Sequence, residues 1–429
     1  MYPTFRGVVV TAFDLAIVGL GYVGMPLAKE ATAAGMRVVG LDVDPRKVEA
    51  LTSGRSYIDD LSDADLDEML RSGFTATLDD AVLAASEVIV ICVPTPLDDD
   101  RRPDLSAVEG AAKTIARRLK PGTLVVLEST TYPGTTDGLV RPLLETSGLV
   151  AGKDFHLAFS PERIDPGNPK YGLRNTPKVV GGYTPACRER AVAFYSRIVE
   201  QVVPVSGTRE AEMAKLLENT YRHVNIALVN EMAIFCDELG IDLWEAIEAA
   251  STKPFGFQKF LPGPGVGGHC IPVDPSYLSF TVRRLGYPFR FVELAQEVNE
   301  RMPAYVVARV QRLLNRHSKP VNGANVLLLG VTYKPDIADE RETPALPIAR
   351  RLLDLGARLS YLDPHVPVWS VDGVPVRRAG DLETAVQEAD VTVLLQQHSA
   401  FDLGVVEEKG RLVLDTRGVL VENERVERL

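Results

Sequence analysis

Asp14-Leu-Ala-Ile-Val-Gly19-Leu-Gly21-Tyr22-Val23-Gly24-Met-Pro-Leu-Ala-Lys-Glu, continued by Met36-Arg-Val-Val-Gly-Leu-Asp42-Val-Asp44, is the stretch from which the fold can be read. The apolar run ahead of Gly19 reads as a strand, Gly21 to Gly35 as a helix, and the run up to Asp44 as a second strand. Strand, glycines, helix and strand in that order make a βαβ unit. Within it Gly19, Gly21 and Gly24 are spaced GxGxxG, and Asp42 ends the next strand 18 residues after Gly24. The first glycine permits a tight turn, the second lets backbone N–H groups approach a pyrophosphate, and the third lets the helix pack close to the sheet. Asp42 suits ribose hydroxyls and repels a 2′-phosphate, so NAD is expected over NADP, a preference that Arg46 and Lys47 weaken slightly. Gly19, Gly21, Tyr22, Val23, Gly24, Asp42 and Lys47 are the expected contacts of the dinucleotide.

The alternation continues outward. Residues 86–96, 122–130 and 155–163 read as strands, and 105–120 and 134–148 as helices, which specifies a parallel sheet covered on both faces. From residue 208 the pattern changes to helical periodicity without a breaker as far as about 238, roughly 45 Å of helix at ~1.5 Å per residue. A Gly- and Pro-rich loop is expected over 252–275, then shorter helices to about Asn315. At Asn325 the opening pattern returns: NVLLLGVTYK matches DLAIVGLGYVG, and ARLSYLDPHV matches MRVVGLDVDP. The second copy lacks the last two glycines, so a second nucleotide-type domain modified for another ligand is expected. The boundaries fall at 1–207, 208–317 and 318–429.

The composition is that of an ordinary globular protein, with 429 residues, 45% of them hydrophobic and 24% charged. A net charge of −11 opposes nucleic acid as a partner. No apolar run approaches the ~18 residues of a membrane span, and the start is too short in apolar residues for a signal peptide. Cys92, Cys187, Cys236 and Cys270 are far apart with no CxxC, which suits reduced thiols and no metal site. A cytoplasmic protein is expected.

Polar groups follow three of the apolar runs: Thr95 in VPTP, Thr130 in ESTT, and Glu162 with Arg163 in SPER. Ligands of open α/β sheets bind at this carboxyl edge, so a site rim is expected there. Lys215, Asn219 and Arg222 are spaced i, i+4, i+7 on the long helix, which is also the spacing of a solvated stripe. Cys270 follows Gly263, Gly265, Gly267 and Gly268 and precedes Asp274. A cysteine is more often a small buried hydrophobe, and as a nucleophile it needs a partner.

GLGYVG, CVPTPLD, ESTTYPGTT, SPERIDPGN, EMAKLLENTYR, PGPGVGGHCIPVDP and GVTYKPDIADERETPA, in this order, resemble the NAD-dependent nucleotide-sugar 6-dehydrogenases, the UDP-glucose/GDP-mannose dehydrogenase family. The likeness runs from about residue 14 to the C-terminus. It implies an α/β fold of two Rossmann-like domains joined by a long central helix and a small helical domain. It also implies oxidation of a sugar C6 alcohol to a carboxylate with two NAD.

In that resemblance Cys270 is the nucleophile that forms a thiohemiacetal and then a thioester. Lys215 and Asn219 stabilise the oxygen at C6, Asp274 handles protons with Lys215 and water, Thr130 helps hold that water, and Glu162 activates the hydrolytic water. Arg163 and Arg222 suit the N-acetylhexosamine branch. Phe257, Phe260 and Gly267 lie in substrate loops, Lys334 is a substrate contact from the C-terminal domain, and Arg290 reaches the substrate of a neighbouring subunit. Thr95, Thr130 and Arg341 join the cofactor contacts. The motifs SPERIDPGN and GPGVGGHCIPVDP point to UDP-N-acetylglucosamine or UDP-N-acetylgalactosamine, with UDP-glucose and dTDP-glucose as alternatives.

A β-hydroxyacid or 6-phosphogluconate-type dehydrogenase shares a GLGxMG loop and a helix-borne lysine but needs neither GGHCIPVDP nor the repeat at 325. A non-catalytic NAD-binding regulator predicts a broken chemical set, whereas this one is complete. The long helix carries Leu216, Ile226, Ala227, Val229, Ala233 and Ile234, more apolar surface than one cleft needs. An obligate homodimer is therefore expected, with Arg290 acting in trans.

Overall fold

The computed structural model describes residues 12–58, 61–98, 102–165, 167–268 and 270–429. It forms two compact units, one up to Glu218 and the other Asn219–Leu429.

The first unit is an eight-stranded sheet of β1 (Phe13–Val18), β2 (Val38–Leu41), β3 (Thr75–Thr77), β4 (Ser86–Ile91), β5 (Leu124–Leu127), β6 (His156–Phe159), β7 (Lys178–Gly182) and β8 (Val202–Val205), in the order β3-β2-β1-β4-β5-β6-β7-β8. The strands from β3 to β6 are parallel, with Ile17 opposite Gly40 on one side and Val90 on the other. Leu15, Ile17, Val88 and Val90 on one face and Ala16, Ile89, Val125 and Leu127 on the other are buried, as expected when both faces are covered. The alternation ends at β7, which pairs antiparallel with β6. The described residues of 160–177 contain no helix. An antiparallel neighbour needs no crossover helix before it.

The first helix is shorter than its sequence suggests, Gly24–Ala33, because Gly19 at φ +98 turns the chain and the loop lasts to Val23. The stretch 134–148 is a π-helical turn, Thr136–Val140, passing into an α-helix, Arg141–Glu145. Pro142, which has no N–H for an i−4 carbonyl, sits at the join.

One helix, Thr208–Leu239, carries the chain from the first unit into the second. Its 32 residues give about 48 Å of spine at ~1.5 Å each. The apolar residues read from the sequence as surplus surface are mostly internal. Leu216, Ala227, Val229 and Ala233 are buried, and Ile226 and Ile234 half-buried. The exposed apolar residues are Met213, Leu217, Tyr221, Leu228, Phe235 and Leu239, at spacings of four and seven.

In the second unit Leu243–Ser251 and Cys270–Arg284 are helical, and a 27-residue helix, Arg290–Arg316, replaces the expected short ones. Pro303 lies inside that helix without ending it. The expected loop over 252–275 gives way to helix at Cys270, since a helix tolerates Pro272 in its first turn.

A second sheet follows from β9 (Asn325–Leu329), β10 (Arg358–Leu362), β13 (Arg377–Arg378), β14 (Val391–Leu394), β15 (Val413–Asp415) and β16 (Val426–Arg428), all parallel in the order β13-β10-β9-β14-β15-β16. Strands β11 (Ser370–Val371) and β12 (Val374–Pro375) make a small hairpin.

The internal repeat is physical. The Leu20 amide donates to Asp42 Oδ2 at 2.8 Å, and the Val331 amide donates to Asp363 Oδ2 at 2.7 Å. Gly19 and Gly330 each precede that amide at positive φ, +98 and +78.

Candidate active site

The glycine loop is built as a cradle. A Cβ on Gly19 would stand 2.6 Å from the Cys92 carbonyl oxygen, and one on Gly24 would stand 2.1 Å from the Gly19 carbonyl oxygen. Above Gly21 nothing lies within 4 Å of a built Cβ, which leaves room for a ligand at the N-terminal end of the Gly24–Ala33 helix. Asp42 is buried. Its Oδ1 accepts from the Asp44 amide at 3.0 Å, its Oδ2 accepts from Leu20, and Lys47 Nζ stands 3.4 Å away. Arg46 is engaged elsewhere, on Asp44 at 2.8 Å, and its hydrogen bond holds the Asp44 carboxyl down at about 2. Thr95 is buried at the rim, Val23 packs on the core, and Tyr22 is exposed. The Tyr57 hydroxyl donates to the Leu20 carbonyl at 2.5 Å and braces the loop, a contact without a signal in the local spacing. Open space over Gly21 beside a buried acid fits the phosphates and ribose of a dinucleotide.

On the same unit Lys215 Nζ donates to Thr130 Oγ1 at 2.5 Å. Thr131 Oγ1, the next hydroxyl along, is buried with no hydrogen-bond partner among the described residues. Glu162 is buried; its Oε1 accepts from the Ile164 amide while its Oε2 has no hydrogen-bond partner among the described residues. Behind it lie Glu128, the first residue of the ESTT strand end, and Lys178 and Tyr195, which sequence reading passed over. Lys178 opens an apolar strand, and a charged residue in such a run is the signal that pointed to it. Arg163 does not reach this group. It pairs with Glu218 at 2.8 Å and donates to the Pro177 carbonyl at 2.7 Å.

Glu212, three residues before Lys215, was also missed. It is buried and accepts from the Gly134 amide at 2.5 Å, the Thr136 amide at 2.9 Å and the Thr136 hydroxyl at 2.7 Å. Burial pushes its carboxyl up to about 7 despite those donors.

In the second unit the Asn219 side-chain amide donates to Asp274 Oδ2 at 2.6 Å, with both residues buried. The backbone of Cys270 opens the helix that carries Asp274, while the Cys270 side chain and His269 lie outside the described residues. The glycines before it are steric necessities. A Cβ on Gly267 would meet the Glu342 carbonyl oxygen at 2.7 Å, one on Gly268 would strike the Tyr333 ring, and the Gly268 amide donates to the Arg341 carbonyl at 3.0 Å.

Lys334 lies half-buried in the loop facing these glycines, and Arg341 side-chain nitrogens pair with Asp339 at 2.6 Å. Arg222 and Arg290 are exposed, Arg290 as the first residue of its helix. Phe260 is half-buried, edge-on to Tyr221 at 5.8 Å between centroids, and Phe257 is exposed.

Asp336, His365 and His398 bring ligand atoms within 4.8 Å of one another. The buried His398 is already committed, however. Its Nδ1 accepts from the Asp336 amide at 2.9 Å, which leaves Nε2–H to donate to Asp363 at 3.0 Å. It therefore ties the Lys334 loop to β10, and its lone pair is not available to a metal. Asp363, the counterpart of Asp42, is consumed in this lock.

A largely parallel sheet with a complete dinucleotide cradle and an all-parallel one with its counterpart closed define a Rossmann-type dinucleotide-binding protein with a second nucleotide-type domain. The UDP-glucose/GDP-mannose dehydrogenase family matches over its NAD binding domain at 13–199, its central domain at 209–301 and its UDP binding domain at 327–422. An NDP-N-acetyl-D-galactosaminuronic acid dehydrogenase of Ralstonia solanacearum is 36% identical, covering 96% of this chain and 98% of its own. A UDP-N-acetyl-D-glucosamine 6-dehydrogenase of Pseudomonas aeruginosa is 38% identical, over 82% and 83%. The solved UDP-D-ManNAc dehydrogenase of Pyrococcus horikoshii superposes with a TM-score of 0.86 at 33% identity, over 95% of this chain and 96% of that one. The chain belongs to the UDP-glucose/GDP-mannose dehydrogenase family. It is an NAD-dependent nucleotide-sugar dehydrogenase that takes a UDP-sugar, and among the described residues no helix is long and apolar enough to cross a membrane.

Proposed function

We propose that this enzyme oxidises C6 of a UDP-N-acetylhexosamine from alcohol to carboxylate through a covalent intermediate on Cys270. The observation that carries the reading is the spine helix, where Lys215 and Asn219 sit one turn apart and are bound to Thr130 and Asp274 respectively. The similar proteins named above differ in the configuration of their hexosamine but share its N-acetyl group.

NAD, when bound, accepts the hydride of each oxidation, so that one alcohol, two NAD+ and one water become one carboxylate, two NADH and three protons. Gly19 to Gly24 and Asp42 hold it, with Thr95 at the rim. The first oxidation makes the aldehyde, which gives up no second hydride until its carbon is tetrahedral and electron-rich. The Cys270 thiolate adds to that carbon, forming a C–S bond. A helix N-terminus, where Cys270 stands in the chain, generally favours the thiolate. Lys215 and Asn219 stabilise the negative oxygen of the thiohemiacetal, and Asp274, with Lys215 and water held by Thr130, takes the proton that the C6 hydroxyl loses in the first oxidation. Glu162 takes a proton from the water that then hydrolyses the thioester. Arg222, Phe257, Phe260, Gly267 and Lys334 are proposed substrate contacts, and Arg341 a cofactor contact.

We also read a homodimer, with Arg290 completing the partner's site. The exposed Met213, Leu217, Tyr221, Leu228, Phe235 and Leu239 of the spine helix support it, being more apolar surface than monomers commonly leave bare. An NADH-release screen across UDP- and dTDP-hexoses tests the substrate. Release with UDP-N-acetylhexosamines and little with UDP-glucose is expected. Preference for UDP-glucose or dTDP-glucose would overturn the N-acetyl reading.

A further inference from the structure

Lys178, the first residue of β7, is 3% exposed and has no part in the chemistry above. Its Nζ lies 3.0 Å from Glu128 Oε2, donates to the Pro161 carbonyl at 3.3 Å, and stands 3.9 Å from Glu162 Oε2. The Tyr195 hydroxyl, at the end of the Pro185–Tyr195 helix, donates to Glu128 Oε1. Cys92, buried just after β4, is the remaining titratable neighbour, and Arg163 turns away to Glu218. Glu162, at 7% exposure, directs one oxygen to the Ile164 amide and keeps Oε2 without a hydrogen bond among the described residues.

Two buried carboxylates therefore share one ammonium. In such surroundings neighbouring carboxylates do not both ionise unless a cation compensates them. The strain is visible at Glu128, whose carboxyl burial raises, with Lys178 opposing the rise and Glu162 adding to it. Burial works against the Lys178 ammonium too, but the carboxylates of Glu128 and Glu162 outweigh it and hold the proton on.

We propose that Lys178 is a positioning residue for thioester hydrolysis, whose ammonium, anchored on Glu128, compensates the Glu162 carboxylate and leaves its Oε2 open to the attacking water. The inference rests on Glu162 as the hydrolytic base. In the step it serves, a C–O bond forms from water to the acyl carbon and one water proton passes to Glu162. The C–S bond breaks with its electron pair returning to sulfur as thiolate, and the acid formed loses its remaining proton to solvent.

The test is the pH profile of kcat for the full-length enzyme, with NAD affinity and the mass of acid-quenched enzyme measured alongside. Lys178→Met should move the acidic limb up by about one pH unit or more, a loss of at least ~tenfold on that limb that fades at alkaline pH. It should accumulate the sugar adduct and leave NAD affinity unchanged. Lys178→Arg should bring the limb back. Glu128→Gln should move it the opposite way, to lower pH, and decides the matter if Lys178→Met does not fold. A limb unmoved in both variants, or a loss equal at every pH, overturns the proposal. Glu162→Gln separates the two ideas. If it hydrolyses normally, the reading of Glu162 fails and the proposal with it. If it accumulates adduct while Lys178→Met and Glu128→Gln leave the limb in place, the proposal alone fails.

Discussion

Substituting alanine at Gly24 and at Gly21 separates folding from cofactor binding within one loop. At Gly24 the new methyl would lie 2.1 Å from the Gly19 carbonyl oxygen and 3.0 Å from Ile17 Cγ2. An ordinary C···O contact is about 3.3 Å, so helix and loop must part by about 1 Å. Overpacking of this kind costs roughly 1–3 kcal/mol. For a unit of this size, about 2 kcal/mol lowers Tm by roughly 4–8 °C. At Gly21 the methyl meets no atom within 4 Å, and φ there is not in the left-handed region. Gly21→Ala should therefore unfold within about 2 °C of wild type, the loss of backbone freedom in the unfolded chain helping slightly. Its methyl fills the space over the loop, so NAD affinity should fall at least ~tenfold, about 1.4 kcal/mol. Thermal unfolding with and without NAD, together with calorimetric titration, reads both effects. NAD should raise the Tm of wild type more than that of Gly21→Ala. The reasoning fails if Gly21→Ala unfolds as early as Gly24→Ala, or if it binds NAD like wild type.

Glu212 makes stability pH-dependent. Its folded-state value of about 7 lies above the ordinary 4.5, so between these the folded chain keeps a proton that the unfolded chain has lost, and stability falls as pH rises. The effect amounts to about 3 kcal/mol by pH 8, and because a Gln amide stays neutral, the stability of wild type should fall away from that of Glu212→Gln over that window. Curves that stay parallel refute it. Mixing Arg290→Ala with Cys270→Ser subunits should restore activity, since one site of the mixed dimer carries both native residues. A fully active monomer in sedimentation, or no recovery after confirmed subunit exchange, sinks the trans assignment.

The βαβ core was legible because Gly19, Gly24 and Asp42 fall at fixed spacings within one strand–helix–strand unit. Prolines misled where they are tolerated: Pro272 hid the start of a helix in its first turn, and Pro303 hid the continuity of Arg290–Arg316. The antiparallel β7 was illegible because an apolar run such as that at Val179 and Val180 reads the same in either strand direction. Periodicity showed that the spine helix was rich in apolar residues but not which of them face its own unit, so Leu216 and Val229 were misplaced and Leu217 and Leu228 overlooked. In the site, Lys215 and Asn219 had a spacing to recommend them. The Lys178–Glu128 pair, 50 residues apart, had none, and only folding brings it together.

The central claim is that one cysteine carries an alcohol through two oxidations to the acid. NADH released per UDP-N-acetylhexosamine consumed, with sugar limiting, tests it most directly in wild type and Cys270→Ser. The account predicts two NADH per sugar in wild type with the acid as product, and no acid from Cys270→Ser, which should still bind NAD. One NADH per sugar with the aldehyde as product, or acid formed by Cys270→Ser at the wild-type rate, would contradict it.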